Sequence, residues 1–362
     1  MAEQTSTNAS IIIPTMNRVD FVIRQLRYYA SVGCQHIIYI GDSSSKEESE
    51  KIQNEIKRLG DTINVKYYYL PPYNIWQAHY YLLTQVKEKY TCLSGDDDYQ
   101  IPDSITKCAE FLETNQEYTT ASGHAVSFRL KQNGVHGELL RLADYKRRQI
   151  ENNTGAERII NFFDDNYFVT FFSVNRTNQT REYWKSSEKI SDQAFGSEIL
   201  PNSLSLIHGK SKILDCLGFV RQIHGQNNGL LGTFDWITSS EWCSSYSLFE
   251  KVISENLATK DNISTKDAVG ITKQAFLAYL HKQFNKVYNE DIPVSKRSYF
   301  YGSVLKSIRS KITKIFPFLK YIYRVVVKPR LTGKKELHYE VLRTESEYYK
   351  DFKPVMDSFT GH

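Results

Sequence analysis

Leu93-Ser94-Gly95-Asp96-Asp97-Asp98-Tyr99 is the stretch on which the reading of this chain turns. Three consecutive carboxylates repel one another, so a triplet ending the apolar run Tyr90-Thr91-Cys92-Leu93 implies a cation that makes the crowding favourable. Hard oxygen ligands of this kind suit Mg²⁺ or Mn²⁺. The alternative is a solvated acidic turn capping the helix that Pro102 and Asp103 announce, and the residues before the triplet decide between the two.

Working back from it, strands and helices alternate. Ser10-Ile11-Ile12-Ile13 is a β-branched run ended by Pro14 and followed by the polar turn Thr15-Met16-Asn17-Arg18. Phe21, Val22, Leu26, Tyr29 and Ala30 then recur at helical spacing up to Gly33, a C-terminal cap. A second strand, His36 to Ile40, ends in Gly41-Asp42-Ser43-Ser44-Ser45. A charged helix (Lys46 to Leu59), a third strand (Ile63 to Leu70) and a helix from Ile75 to Lys89 lead to the fourth strand and its triplet. Short strands that are apolar on both faces predict an α/β fold, a mostly parallel sheet covered by helices on both sides. Ligands bind such sheets beyond the strand carboxyl ends, where all three polar punctuation marks fall.

Ile11-Ile12-Ile13-Pro14-Thr15-Met16-Asn17-Arg18, then Gly41-Asp42-Ser43-Ser44, then Ser94-Gly95-Asp96-Asp97-Asp98 resembles the nucleotide-sugar half of a GT-A (Rossmann-like) glycosyltransferase of the family 2 type. The resemblance runs from about Ser10 to Gly225 and is strong to about residue 105. It implies that Pro14, Thr15, Asn17 and Arg18 line the base and diphosphate pocket, that Asp42 with Ser43 receives the nucleoside, and that Asp96 and Asp98, flanking Asp97, form a DxD pair with Asp98 on the metal. This chain departs from the pattern at Gly41, where a second acid is common, and at Asp97, which is often Ala. A nucleoside diphosphate leaves readily only when its developing charge is neutralised, which carboxylate-held Mn²⁺ or Mg²⁺ does.

Inverting displacement at an anomeric carbon needs a carboxylate near the acceptor hydroxyl. In Ile190-Ser191-Asp192-Gln193-Ala194-Phe195-Gly196-Ser197-Glu198 the candidates are Glu198, which opens an apolar helix and is preferred, and Asp192. His224, after the strand-like run Ile213 to Val220, sits where relatives close the metal site. The QxxRW signature of processive synthases is absent, so single addition is expected. The implied donor is a nucleotide-sugar, UDP-linked by preference, and the acceptor a glycan or lipid-linked glycan. A sugar-phosphate nucleotidyltransferase would need a Gly-rich, Arg-containing loop where Pro14-Thr15-Met16-Asn17 stands. A non-catalytic glycan- or nucleotide-binding protein is the other rival.

Further along, Tyr118 to Leu130 and Val135 to Leu142 read as strands about the turn Gln132-Asn133-Gly134, Ala156 to Phe163 as a helix, and Tyr167 to Val174 as a long aromatic strand. Phe234 to Leu257 and Thr265 to Tyr288 read as a helical extension. The 362 residues therefore divide into a catalytic domain over 1–229 (donor half about 10–105, acceptor half about 106–229), a helical appendage over 230–291, a basic segment over 292–335 and a tail over 336–362.

The net charge of +5 is local in origin. Residues 292–335 hold twelve Lys/Arg and no acid, leaving the rest with 34 Lys/Arg against 41 Asp/Glu. Within 303–328 the basic residues alternate with large apolar ones, the pattern of a helix lying on an anionic membrane surface. Aromatics and bases are not arranged as in nucleic-acid modules, so no nucleic acid is expected. The five cysteines are scattered and odd in number, which argues against a disulfide framework and a zinc site. With neither a signal-peptide pattern nor a run of about 18 apolar residues, the expectation is a cytoplasmic protein, peripheral at the cytoplasmic membrane face.

Overall fold

The computed structural model describes residues 8–164, 169–225, 231–291 and 336–360. The first half alternates as expected: β1 (Ala9–Thr15), α1 (Val19–Ser31), β2 (Ile37–Asp42), α2 (Lys46–Leu59), β3 (Val65–Tyr69), α3 (Ile75–Gln85) and β4 (Tyr90–Leu93). After the triplet come β5 (Tyr99–Gln100), α4 (Pro102–Thr114), β6 (Tyr118–Leu130), β7 (Leu139–Tyr145), α5 (Gly155–Asp164), β8 (Val174–Arg176), α6 (Thr177–Ser186), α7 (Leu200–His208) and β9 (Lys210–Gln222). Helices α8 (Thr233–Ile237), α9 (Trp242–Asp261), α10 (Thr265–Asp291), α11 (Leu337–Glu340) and α12 (Glu347–Thr360) complete the described chain.

The strands form one nine-stranded sheet in the order β3-β2-β1-β4-β8-β6-β9-β5, with β7 beside β6. Strands β3, β2, β1 and β4 run parallel, as do β6 and β9. The pairs β4–β8, β6–β8, β6–β7 and β5–β9 are antiparallel. Ile11, Ile12 and Ile13 are fully buried, because helices cover both faces of the strand that carries them. Gly41 leaves room for α3: a Cβ there would come within 3.0 Å of Leu82 Cδ1. Helices α5, α7, α9 and α10 gather a second apolar core around Phe195, Phe249 and Phe276.

Three expectations change. Thr170–Phe172 form a 3₁₀ turn, and the strand begins only at Val174. Asn202 Oδ1 accepts from Thr170 N at 2.7 Å and Thr170 Oγ1 at 2.6 Å, and Arg147 Nη2 donates to Phe172 O at 3.1 Å, so this backbone is tied to side chains rather than to a ladder. The return strand starts at Leu139, because Gly137 N instead donates to Phe359 O at 2.8 Å. The C-terminal residues are no tail. Phe352, Val355 and Phe359 of α12 are fully buried in the core of the first half. The basic segment 292–335, with the stretch 303–328, and Tyr167-Phe168 lie outside the described residues. Among the described residues no helix is long and apolar enough to cross a membrane.

Candidate active site

Strand register brings the three polar turns level. Thr15 pairs with Asp42 and Ile12 with Leu93. Ser43 N donates to Thr15 O at 2.9 Å, and Ser94 N to Ile12 O at 2.8 Å. Beyond the triplet, β5 pairs with the end of β9, which carries Gln222 and then His224 to the same edge. Asn17 takes a left-handed φ of 56°, a conformation Asn tolerates better than most residues. From it the Asn17 N–H donates to Ser44 Oγ at 2.7 Å and its Oδ1 accepts from Ser45 N at 3.2 Å, so the first two turns are stitched together.

Arg18 spans the triplet. Its Nη1 lies 2.7 Å from Asp96 Oδ1 and its Nη2 2.8 Å from Asp97 Oδ2. Thr15 Oγ1 donates to the other Asp96 oxygen at 2.8 Å. His224 Nε2 sits 2.7 Å from Asp97 Oδ2 and 2.8 Å from Arg18 Nη2, with its ring stacked on Phe21 at 5.1 Å. Gln222 N donates to Asp98 Oδ1 at 3.0 Å. The three carboxylates respond differently to one environment. Burial pushes Asp96 up to about 7 despite Arg18. Burial would raise Asp97 too, but the His224 hydrogen bond and Arg18 hold it down at about 2. Asp98 is pushed well above the carboxylate range by burial and by the neighbouring Asp97 charge.

The triplet's carboxylate oxygens are hard donors of the kind a divalent ion takes. A Cβ on Gly95 would come within 2.8 Å of Asp97 Oδ1 and 3.0 Å of Asp98 Oδ2, so two hard oxygens border one small space beside the His224 imidazole. Mg²⁺ commonly takes one or two protein carboxylates and fills its shell with water and substrate phosphates. Each carboxylate of the triplet has protein partners: Asp96 meets Arg18 and Thr15, Asp97 meets Arg18 and His224, and Asp98 accepts from Gln222 N. Among the described residues no group of three or more His, Cys, Asp or Glu side chains is arranged to hold a metal ion.

Sequence reasoning missed the layer beneath. Gln25 Nε2 donates to Gly95 O at 2.8 Å, Asp98 O at 2.6 Å and Ser94 Oγ at 2.9 Å. Arg24 Nη2 donates to Asp97 O at 3.0 Å and its Nη1 to Gln222 Oε1 at 2.7 Å. Both are buried polar residues on the inner face of α1, and that placement beside Phe21, Val22 and Leu26 is the signal available in the sequence.

Asp42 is fully buried, with Oδ2 accepting from Tyr67 OH at 2.5 Å and Oδ1 from Ser44 N at 2.8 Å. It therefore shapes the Ser43–Ser45 turn, with both carboxylate oxygens accepting from within the protein. Ser43 Oγ, at the same strand end, is buried without a hydrogen-bond partner. Pro14 pairs with Gly41 inside β1, which runs on to Thr15 rather than stopping at the proline.

A cleft of about 710 Å³ opens next to this edge, between the N-terminal part of α3, the end of α6 and residues 190–197. The connection is short: Leu70 N donates to Asp42 O at 2.7 Å and Tyr73 N to Leu70 O at 2.9 Å. Tyr73, Trp76, Tyr80, Tyr81 and Trp184 supply its aromatic walls. Asp192 lies in its lining and is buried, with Trp236 Nε1 at 3.1 and 3.0 Å from its two oxygens and Phe195 N donating to Oδ1 at 2.9 Å. Glu198 is not in the lining. It lies in a π-helical turn, Phe195–Ile199, with its charge felt by Tyr279 of α10. Of the two candidate carboxylates, Asp192 lines this cleft and Glu198 does not.

No protein-family model matches the sequence, and no curated protein matches it. Among solved structures the chain is similar to S. aureus TarS residues 1–349 in complex with UDP-GlcNAc, at 14% identity over 80% of this chain and 77% of that one, with a TM-score of 0.48. Against a longer S. aureus TarS structure the identity is 13% over 80% of this chain and 46% of that one, with a TM-score of 0.47. The Pyrobaculum calidifontis mannosyltransferase PcManGT in complex with GDP-Man and Mn²⁺ is similar at 8% identity, over 87% and 82% of the two chains, with a TM-score of 0.39.

Proposed function

We propose that this chain is a glycosyltransferase that moves a sugar from a nucleotide-sugar, UDP-linked by preference, onto a glycan or lipid-linked glycan, with inversion and one residue at a time. The observation that carries the reading is the convergence of Thr15, Arg18, the orphaned Ser43 hydroxyl and the Asp96–Asp98 triplet on the carboxyl ends of three parallel strands. Ser43 Oγ is the unpaired polar atom at the strand end where a nucleoside would lie. Arg18 offers a fixed positive charge to a diphosphate, and Asp97, Asp98 and His224 are the residues that would hold Mn²⁺ or Mg²⁺. When bound, such an ion neutralises charge developing on the leaving diphosphate.

Asp192 takes the proton from the acceptor hydroxyl. The Trp236 and Phe195 N–H groups fix its carboxylate in one orientation, and a general base must be held within hydrogen-bond reach of the proton it abstracts. Asp42, Arg24 and Gln25 are positioning residues that hold the turns. Release of UDP from a panel of UDP-sugars, with Mn²⁺ and with EDTA, tests the reading. Metal-dependent turnover of one donor supports it, and no turnover of any nucleotide-sugar with any glycan acceptor counts against it.

A further inference from the structure

We propose that the aromatic cleft between α3 and α6 is an acceptor site for an uncharged glycan, and that it discriminates against anionic ones. The proposal rests on the glycosyltransferase reading for the word acceptor, and on the cleft's own chemistry for the rest. At about 710 Å³ the cleft falls within the range of small-molecule sites. Tyr73, Trp76, Tyr80 and Tyr81 line it, and buried Trp184 backs Trp76, the two rings stacked at 6.2 Å. Aromatic faces carry partial negative charge, so they attract the C–H face of a pyranose and offer nothing to a carboxylate, sulfate or phosphate.

The charges lining the cleft agree in sign. Glu188 and Asp192 are in the lining, and none of the described residues there is Lys or Arg. An anionic unit would meet two carboxylates in the lining, with the nearest cation, Arg181, behind Tyr80 and bonded to the Leu83 and Val86 carbonyls. Hydroxyl-rich ligands find suitable partners. The capping box of α3 uses the carbonyl oxygens of Asn74 and Gln77, which accept from Trp76 N, Gln77 N and Asn74 N. Their amide NH₂ groups are left as donors at the cleft edge, and the Asp192 carboxylate is an acceptor behind them.

The test is titration of the full chain with four probes, cellotetraose, maltotetraose, chitotetraose and a tetragalacturonate, followed by tryptophan fluorescence and saturation-transfer NMR. Titration with UDP and Mn²⁺ is run separately. At least one neutral tetrasaccharide should bind, tetragalacturonate should not, and Trp76→Ala should weaken the neutral ligand roughly tenfold. Glu188 is exposed, so Glu188→Lys keeps the fold and should admit tetragalacturonate. Tighter binding of tetragalacturonate than of any neutral probe, no binding of any neutral probe, or unchanged affinity in Trp76→Ala each overturns the proposal. Nucleotide binding without oligosaccharide binding removes this inference alone. Oligosaccharide binding without nucleotide binding supports the cleft and removes the donor reading.

Discussion

Arg18 Nη2 lies 2.8 Å from Asp97 Oδ2, and the same oxygen is 2.7 Å from His224 Nε2. A buried carboxylate that takes both an arginine and a histidine is held ionised, while its neighbours Asp96 and Asp98 are driven the other way by burial. The triplet is therefore one charged assembly with Arg18 as its counter-ion.

Arg18→Met should leave Asp96 and Asp97 without their cation. Loss of one partner from a buried pair costs about 3–5 kcal/mol, read as a lower urea midpoint. Excess Mn²⁺ should restore part of it, since a ligand of the folded state stabilises by mass action. A midpoint equal to wild type would show that the ion pair is not a stabilising element.

Asp98→Asn should separate stability from function. The folded state pushes the Asp98 pKa up, so its ionised form costs stability at neutral pH, and the amide keeps an acceptor for Gln222 N. The variant should be at least as stable as wild type while sugar transfer falls by roughly 10²-fold or more. Wild-type transfer would remove Asp98 from the donor site.

Asp192→Asn should lower turnover by roughly 10²–10⁴-fold, the usual contribution of a general base, with nucleotide affinity retained. Glu198→Gln should leave turnover within a few-fold of wild type. Steady-state kinetics on the two variants checks the assignment, and the opposite ranking would return the role of base to Glu198.

Glu55 provides a pH prediction away from the site. Hydrogen bonds from Arg58 and then Arg27 hold its carboxyl down at about 2 from an ordinary 4.5. A folded-state pKa below the unfolded one contributes stability that is complete above about 4.5 and lost as pH falls toward 2. The arginines are solvent-exposed in large part, so the contribution is about 1 kcal/mol or less. Glu55→Gln should flatten the stability curve in that window and leave its slope above pH 5 unchanged, as measured by urea unfolding at stepped pH.

Phe359→Ala should cost about 3–5 kcal/mol, because the ring is fully buried and stacks on Phe128 at 4.5 Å. The neighbouring Ser358 Oγ is 2.8 Å from Tyr99 OH, one residue past the triplet. Removal of residues 336–362 should therefore weaken nucleotide binding as well as stability. Normal affinity in that truncation would show that α12 supports the core alone.

Much of the donor edge was legible because each strand end carries its own local punctuation. Ile11 to Ile13 could only be a buried strand, and the turn after Thr15, Asp42 and the triplet mark where three strands stop. Arg24 and Gln25 carried only a weak signal, their place beside Phe21, Val22 and Leu26, and their partners became visible only when the fold set the Gly95, Asp97 and Asp98 carbonyls against them. Glu198 falls in a π-helical turn, which shifts the phase of side chains by a fraction of a turn, and nothing in the local sequence announces it. The aromatic cleft depends on α3 and α6 meeting, and α12 on Phe128 lying beneath it. Neither contact leaves a periodic trace.

The measurement closest to the central claim is calorimetric titration of UDP, GDP, CDP and dTDP into the purified protein, with Mn²⁺ and again with EDTA. The account predicts that UDP binds most tightly with Mn²⁺ and that EDTA weakens it severely. If no nucleotide binds under either condition, the triplet is a structural acidic turn neutralised by Arg18, and the glycosyltransferase reading is contradicted.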